Sequence, residues 1–336
     1  MQIGQSRRDF LASASLTMAA GMLGARASLA DEAPPETTTV RLLKESAVCD
    51  APLYVAEELL RAEGFSDVRY VHIEAGNTDA GMVADGKLDF SQSYAPEALR
   101  QIDAGRPVKV LAGVHPGCHE LFAREPVNSI KDLKGRSVAV SEQLGYATRL
   151  ILSVMATYVG LDPAKDIAWV TGPGATPIDL FVDGKSDAFF GEPLDAAAVR
   201  DRGISRVILK TATDLPWSQY FCCVLAGNAD YVRRYPVATK RVVRAVLKAT
   251  DICFADPKRA AQRLVDGGFT ERYDYSLQGL VEVPYGSWRE YDPEDTMRFY
   301  ALRLHEAGMI RSSPNKILTN GTDWRFLNDL KRELKA

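Results

Sequence analysis

The feature that most constrains this chain is the spacing of its apolar residues, which switches repeatedly between a two-residue and a 3.6-residue period. Residues 40–43 read as a short apolar strand. Asp50 and Pro52 then open an amphipathic helix carrying Leu53, Ala56, Leu59 and Leu60, which Gly64 ends. Residues 68–73 alternate as a second strand. They are followed by a helix near 78–84, a strand at 88–91, a helix near 96–104 and a strand at 108–112. Strands separated by helices predict an α/β fold with a parallel sheet covered on both faces.

A second block repeats the pattern. Ser129 starts a short helix, residues 137–140 form a strand, and 146–159 form an amphipathic helix ended by Gly160. Asp162-Pro163 reads as a further helix start, 167–170 as a strand and 178–182 as part of a helix; 188–190 and 206–209 complete a smaller sheet. From residue 228 onward the spacing is mostly helical, with Asp256-Pro257 and Asp292-Pro293 opening new helices and Gly308 closing one.

Composition narrows the function. The 41 Lys and Arg against 44 Asp and Glu are interspersed, so no basic face is available for a phosphate backbone and nucleic acid is not an expected partner. At the N-terminus, Arg7-Arg8-Asp9-Phe10-Leu11 precedes a mild apolar run over 12–23 and small residues over 25–30. This reads as a twin-arginine export signal, residues 1–30, followed by a mobile polar leader, 31–37. The expected location is the periplasm, reached through the twin-arginine translocase. Five cysteines, Cys49, Cys118, Cys222, Cys223 and Cys253, leave at least one thiol unpaired in a monomer, the expected state.

Catalytic signatures fail one by one. There is no Gly-x-Ser-x-Gly and no Cys-x-x-Cys, Asp179 stands where a P-loop ending at Gly184-Lys185-Ser186 needs glycine, and His119-Glu120 is followed by Ala123 instead of a second histidine. The balance moves toward a binding protein with no cofactor.

Several segments carry a resemblance: Asp50-Ala51-Pro52-Leu53-Tyr54-Val55-Ala56, Asp85-Gly86-Lys87-Leu88-Asp89-Phe90, Ser129-Ile130-Lys131-Asp132-Leu133-Lys134-Gly135 running into the next strand, and Asp183-Gly184-Lys185-Ser186-Asp187-Ala188-Phe189-Phe190-Gly191-Glu192-Pro193. Over about residues 38–310 the chain resembles periplasmic solute-binding proteins of ABC importers, in the branch for alkanesulfonates, taurine, nitrate and thiamine pyrimidines. The resemblance implies a type II binding-protein fold, two α/β lobes joined by two crossing strands. Lobe one then takes 38–118 plus 222–336 and lobe two 119–221, with crossings near 119–124 and 221–226. It also implies a small-molecule solute, capture by closure of the lobes, and delivery to a membrane permease complex.

Ligands of such sheets bind beyond the carboxyl ends of the strands. The loops there offer Cys49, Asp50 and Ala51 after the first strand, Ser91, Ser93 and Tyr94 after the third, and His115, Cys118 and His119 by the first crossing. Lobe two adds Gly145, Tyr146, Ala147 and Thr148 at a helix N-terminus, Glu192 after its strand, and Trp217, Tyr220 and Cys222 near the return. Asp50 and Glu192 beside Tyr146, Trp217 and Tyr220 suit a nitrogenous heteroaromatic such as a thiamine-type pyrimidine, stacked on the rings and hydrogen-bonded through its nitrogens. The alternatives are an anion held by helix N–H groups, a metal-dependent protein using His115 and His119, or an enzyme resembling the eukaryotic pyrimidine synthases, whose cysteine-rich run Cys222-Cys223 matches in part. Regular ligand spacing is lacking, so no metal is expected.

Overall fold

The computed structural model describes residues 32–45, 48–140, 145–172, 174–202 and 206–334, without the side chains of 145–147, 193, 194 and 196. The export signal, with Arg7 and Arg8, lies outside the described residues.

Among the described residues ten strands form two five-stranded sheets. The first holds β1 (Thr39–Lys44), β2 (Asp67–His72), β3 (Phe90–Tyr94), β4 (Val108–Pro116) and β10 (Phe221–Asn228), in the order β2-β1-β3-β10-β4. The second holds β5 (Glu120–Ala123), β6 (Arg136–Ala139), β7 (Ile167–Val170), β8 (Ala188–Gly191) and β9 (Val207–Lys210), in the order β7-β6-β8-β5-β9. Two α/β lobes result, as the resemblance implied.

The sheets are mixed and not purely parallel. β10 runs antiparallel between β3 and β4, and β5 runs antiparallel between β8 and β9. Each of these strands arrives directly from the other sheet without a crossover helix, and only a helical crossover returns a strand in the same direction. The chain passes between sheets at residues 117–119 and 211–220. There Gly117 is packed so closely on the returning segment that a Cβ would sit 2.0 Å from the Thr211 carbonyl oxygen, which is why a glycine occupies the position.

Among the described residues fourteen helices clothe the sheets: α1 (Ala51–Val55), α2 (Glu57–Ala62), α3 (Asp79–Ala84), α4 (Ala95–Asp103), α5 (Gly145–Tyr158), α6 (Pro177–Val182), α7 (Pro193–Asp201), α8 (Ala229–Arg234), α9 (Pro236–Ala255), α10 (Pro257–Asp266), α11 (Tyr273–Glu282), α12 (Pro293–Glu306), α13 (Pro314–Gly321) and α14 (Arg325–Glu333). Their starts follow from local chemistry. Thr78 Oγ1 accepts from Gly81 N at 3.0 Å to open α3, and Asn228 Oδ1 accepts from Asp230 N at 3.0 Å to open α8. Asp162-Pro163 starts only a turn, because the few residues before β7 are too short to nucleate a helix.

Val40, Leu42, Phe90, Val110, Val224 and Leu225 are fully buried in lobe one, as are Val242, Val243, Val246 and Leu247 along α9. Each such side chain contributes roughly 1.5–3 kcal/mol by leaving water. In lobe two Phe122 stacks on Phe189 with centroids 4.7 Å apart. The polar stretch before β1 is tied to α9: Glu36 accepts from Val237 N and Ala238 N at 3.0 and 2.9 Å, and Glu32 pairs with Arg244. Among the described residues no helix is long and apolar enough to cross a membrane.

Candidate functional site

The carboxyl end of β1 runs into a single 3-10 turn, Val48–Asp50, and this places Cys49 beneath the junction of the two lobes. β4 ends there with His115, the connection adds Cys118 and His119, and β10 begins there with Cys222 and Cys223. All six are buried: Cys49 2%, His115 0%, Cys118 5%, His119 1%, Cys222 3% and Cys223 1% exposed. The Cys118 and Cys222 sulfurs are 3.3 Å apart, and His119 Nδ1 lies 3.4 Å from the first and 3.5 Å from the second.

Neighbouring residues on a regular strand point to opposite faces, so Cys222 and Cys223 should not meet at one site. Register shifts between Phe221 and Cys223 and between Cys223 and Val224 break that alternation. The irregularity turns both sulfurs toward the same cluster, a known use of a β-bulge.

The thiols share protons unequally. Hydrogen bonds from Cys118 and Cys223 hold the Cys49 thiol well below its ordinary range. Burial pushes Cys222 up, but donation by Cys118 and Cys223 together with His119 outweighs it and leaves this thiol low as well. Burial would strip charge from His119; the neighbouring Cys222 and Glu192 reverse that and push it up to about 9.

Above this floor the lobes touch. The Tyr94 hydroxyl, at the end of β3, donates to Glu192 Oε1 at 2.7 Å, and Glu192 stands at the start of α7 in lobe two. Burial and the charge of Cys49 push Glu192 up to about 7. Asp50 sits at the start of α1 with no side-chain cap bond, and burial, then Cys49, Asp79 and Glu192, drive its carboxyl well above the usual range. Ser91 and Ser93, one strand period apart, touch through their hydroxyls at 2.7 Å. His119 stacks on Phe190 at 4.8 Å. Its peptide N–H donates to Thr211 Oγ1 at 2.8 Å, joining the two connections.

Of the expected site residues, the structure brings together Cys49, Asp50, Tyr94, His115, His119, Cys222 and Glu192, while Ala51 follows Asp50 in α1 and Ser91 and Ser93 are buried on β3. Thr148 is buried on α5, whose first residue is Gly145; the side chains of Tyr146 and Ala147 lie outside the described residues. Trp217 and Tyr220 go elsewhere. Tyr220 stacks on Phe299 at 3.9 Å, and Trp217 meets Tyr158, the last residue of α5, at 5.2 Å. Phe299, a residue of α12, covers one face of Tyr220 and meets Trp217 edge-on at 6.3 Å. Sequence reasoning missed Cys223, whose strand neighbour had been counted, and Tyr285, which lies edge-on to His115 at 5.1 Å and donates to the Val48 carbonyl at 2.5 Å.

Known proteins share this architecture. The structure matches the periplasmic nitrate-binding protein NrtA of Synechocystis with a TM-score of 0.71 at 16% identity, covering 90% of each chain. It matches the alkanesulfonate-binding protein SsuA of Xanthomonas axonopodis, solved with MOPS bound, with a TM-score of 0.64 at 16% identity over 82% of this chain and 96% of that one. In sequence it is 26% identical over 306 residues to the nitrate import ATP-binding protein NrtC of Synechocystis, covering 83% of this chain; it spans 45% of that relative's length. The NMT1/THI5-like family model matches residues 50–260, more than half of the sequence. The chain therefore belongs to the NMT1/THI5-like family and is folded as a periplasmic binding protein.

Proposed function

We propose that this chain is an exported solute receptor whose lobes close on a small molecule and deliver it to an ABC permease. The observation that carries this reading is the Tyr94–Glu192 hydrogen bond, made between lobes above a buried polar floor. Solute contacts from both walls would raise the closed population. The nitrate-binding NrtA and sulfonate-binding SsuA folds support the transport role, as does the leader with Arg7 and Arg8. Mass spectrometry of solute retained by the purified protein, with scattering before and after its removal, tests this. A retained solute whose loss leaves the radius of gyration unchanged overturns capture by closure. Replacing Arg7 and Arg8 with Lys should leave precursor in the cytoplasm, and normal export of that variant overturns the twin-arginine route.

For the solute, the favoured class is a nitrogenous heteroaromatic. Asp50 and Glu192, both with raised carboxyl pKa values, offer neutral hydrogen-bonding partners to ring nitrogens, and neither is matched by an arginine or lysine among the residues brought together here. Tyr94 supplies an aromatic wall in place of Trp217 and Tyr220. An oxyanion is the second reading, favoured by the start of the 14-residue α5 at Gly145 and by the ligands of the similar proteins. Titration of thiamine pyrimidines, taurine, alkanesulfonates and nitrate against wild type, Asp50→Asn and Glu192→Gln separates them. Heterocycle binding lost in either variant supports the first; anion binding kept or tightened in both supports the second.

A further inference from the structure

The floor of the cleft holds four thiols and two imidazoles packed together, and solute capture uses none of them by necessity. Two overlapping sets stand out. Cys49, His115 and Cys223 have their ligand atoms all within 4.8 Å of one another, and so do Cys118, Cys222 and Cys223. Two ligands each about 2.3 Å from one metal lie about 3.8 Å apart in tetrahedral geometry, so these spacings need only small adjustments to close on an ion.

His115 is prepared in the manner of a ligand. Its Nδ1 bonds the Pro116 carbonyl at 3.0 Å, which places the proton on that nitrogen and leaves Nε2 with its lone pair. His115 Nε2 has no hydrogen-bond partner among the described residues, although the ring is buried; His119 instead turns Nδ1 to the Cys118 and Cys222 sulfurs. An unpartnered buried polar atom is costly unless something else satisfies it. A cavity of about 190 Å³ lined by Cys118, His119, Glu120, Lys210 and Thr213 opens behind the connection and reaches the cluster at Cys118 and His119.

We propose that Cys49, His115, Cys118, Cys222 and Cys223 form a binding site for a soft, thiophilic metal ion of the Zn(II) or Cu(I) class, with His119 at its edge. Thiolate and imidazole together select such ions over Mg(II) and Ca(II). Cys223 belongs to both sets and is the shared ligand. Every donor, His119 included, comes from lobe one or from the connection leaving it, so loading does not require the lobes to close. Metal binding here is independent of which solute the receptor carries.

The test uses the mature full-length chain, isolated anaerobically, titrated with Zn(II) and with Cu(I) against competing chelators, and with Co(II) as a spectroscopic probe. At least one equivalent of Zn(II) or Cu(I) should bind with submicromolar affinity, and Co(II) should give thiolate charge-transfer and tetrahedral ligand-field bands. Cys223→Ser should weaken binding at least 100-fold and His115→Gln at least tenfold, while Cys253→Ser, a buried thiol in α9 remote from the cluster, should change nothing. Circular dichroism and melting of each variant separate lost ligands from lost folding. Tyr94→Phe should keep metal affinity while impairing solute-driven compaction, which distinguishes failure of this proposal from failure of the receptor reading. Wild type that binds none of these ions tightly, or whose cluster thiols are recovered as disulfides after anaerobic isolation, overturns it. Binding that survives Cys223→Ser, His115→Gln and Cys49→Ser overturns it too.

Discussion

Two polar clusters lie inside lobe one, and they are built to opposite rules. On α9, Arg244 is 3% exposed in its side chain and is surrounded by carboxylates: Glu63 at 2.7 Å, Glu333 at 3.5 Å, and Glu32 in closer contact. Positive and negative charges are matched there, and the groups satisfy one another. In the cleft floor, thiols and imidazoles crowd together with His119 as the one basic group facing Glu192 and, among the described residues, no arginine or lysine beside Asp50, and two ring nitrogens lack partners among those residues. A buried group whose bonds are complete holds the fold; one whose bonds are incomplete awaits something from outside.

That contrast is most easily broken at Arg244. Arg244→Met strands Glu63 without its cation and leaves Glu32 to Lys240 and Arg241 alone, and it should cost about 3 kcal/mol in denaturant unfolding. Cys223→Ser, in the metal-free protein, should cost only about 1 kcal/mol. Equal losses would mean that the floor is as structural as the α9 cluster.

The next effect is on pH. Glu192 is held at about 7 with the lobes in contact through Tyr94, taken as the closed form of the proposal, against an ordinary value of 4.5, with Tyr94, Cys49, His119, Asp195 and Asp50 as its charged or titratable surroundings. Below pH 4.5 the carboxyl is protonated in both open and closed forms and closure carries no penalty. As pH rises through 4.5 toward 7 the open form ionises first, so closure weakens, by up to about 3 kcal/mol, and then levels off. Scattering across pH 4–8 should show the closed fraction falling, and Glu192→Gln should flatten the curve.

Smaller still is the hydroxyl that bridges the lobes. Tyr94→Phe removes one hydrogen bond to a carboxyl and should shift the open–closed balance by about 1–2 kcal/mol toward open, read as solute affinity. Smallest is Arg200 on α7, which bridges Glu120 at 3.0 Å and Glu282 of α11 at 2.8 Å near the surface. Arg200→Gln should shift the same balance by under about 1 kcal/mol, and less in high salt.

The two clusters also differ in how far they could be read from sequence. Alternation and helical period located nearly every strand and helix, because those patterns are local. Cys49, Asp50, His115 and Glu192 followed from their place after strands, since the carboxyl ends of the strands face the cleft in this architecture. Cys223 did not follow: strand alternation assigns it to the face opposite Cys222, and only an irregularity in the pairing with β4 overrides that rule. For Trp217 and Tyr220 the local pattern reports only their place near the return connection; that Tyr220 stacks on Phe299, almost 80 residues on, is a long-range contact it does not carry. The Arg244 cluster joins Glu32, Glu63 and Glu333, separations that no local pattern reports.

The close approach at Gly117 has a mechanical side. Where the outgoing and returning segments are pressed together there is one fulcrum, and a lever travels least at its fulcrum. If the lobes swing apart as proposed above, the Tyr94–Glu192 contact between them has to break. Cys118 and His119, next to Gly117, would move little by comparison. Contact and floor would then be geared differently: the first would register opening, and the second would keep its shape.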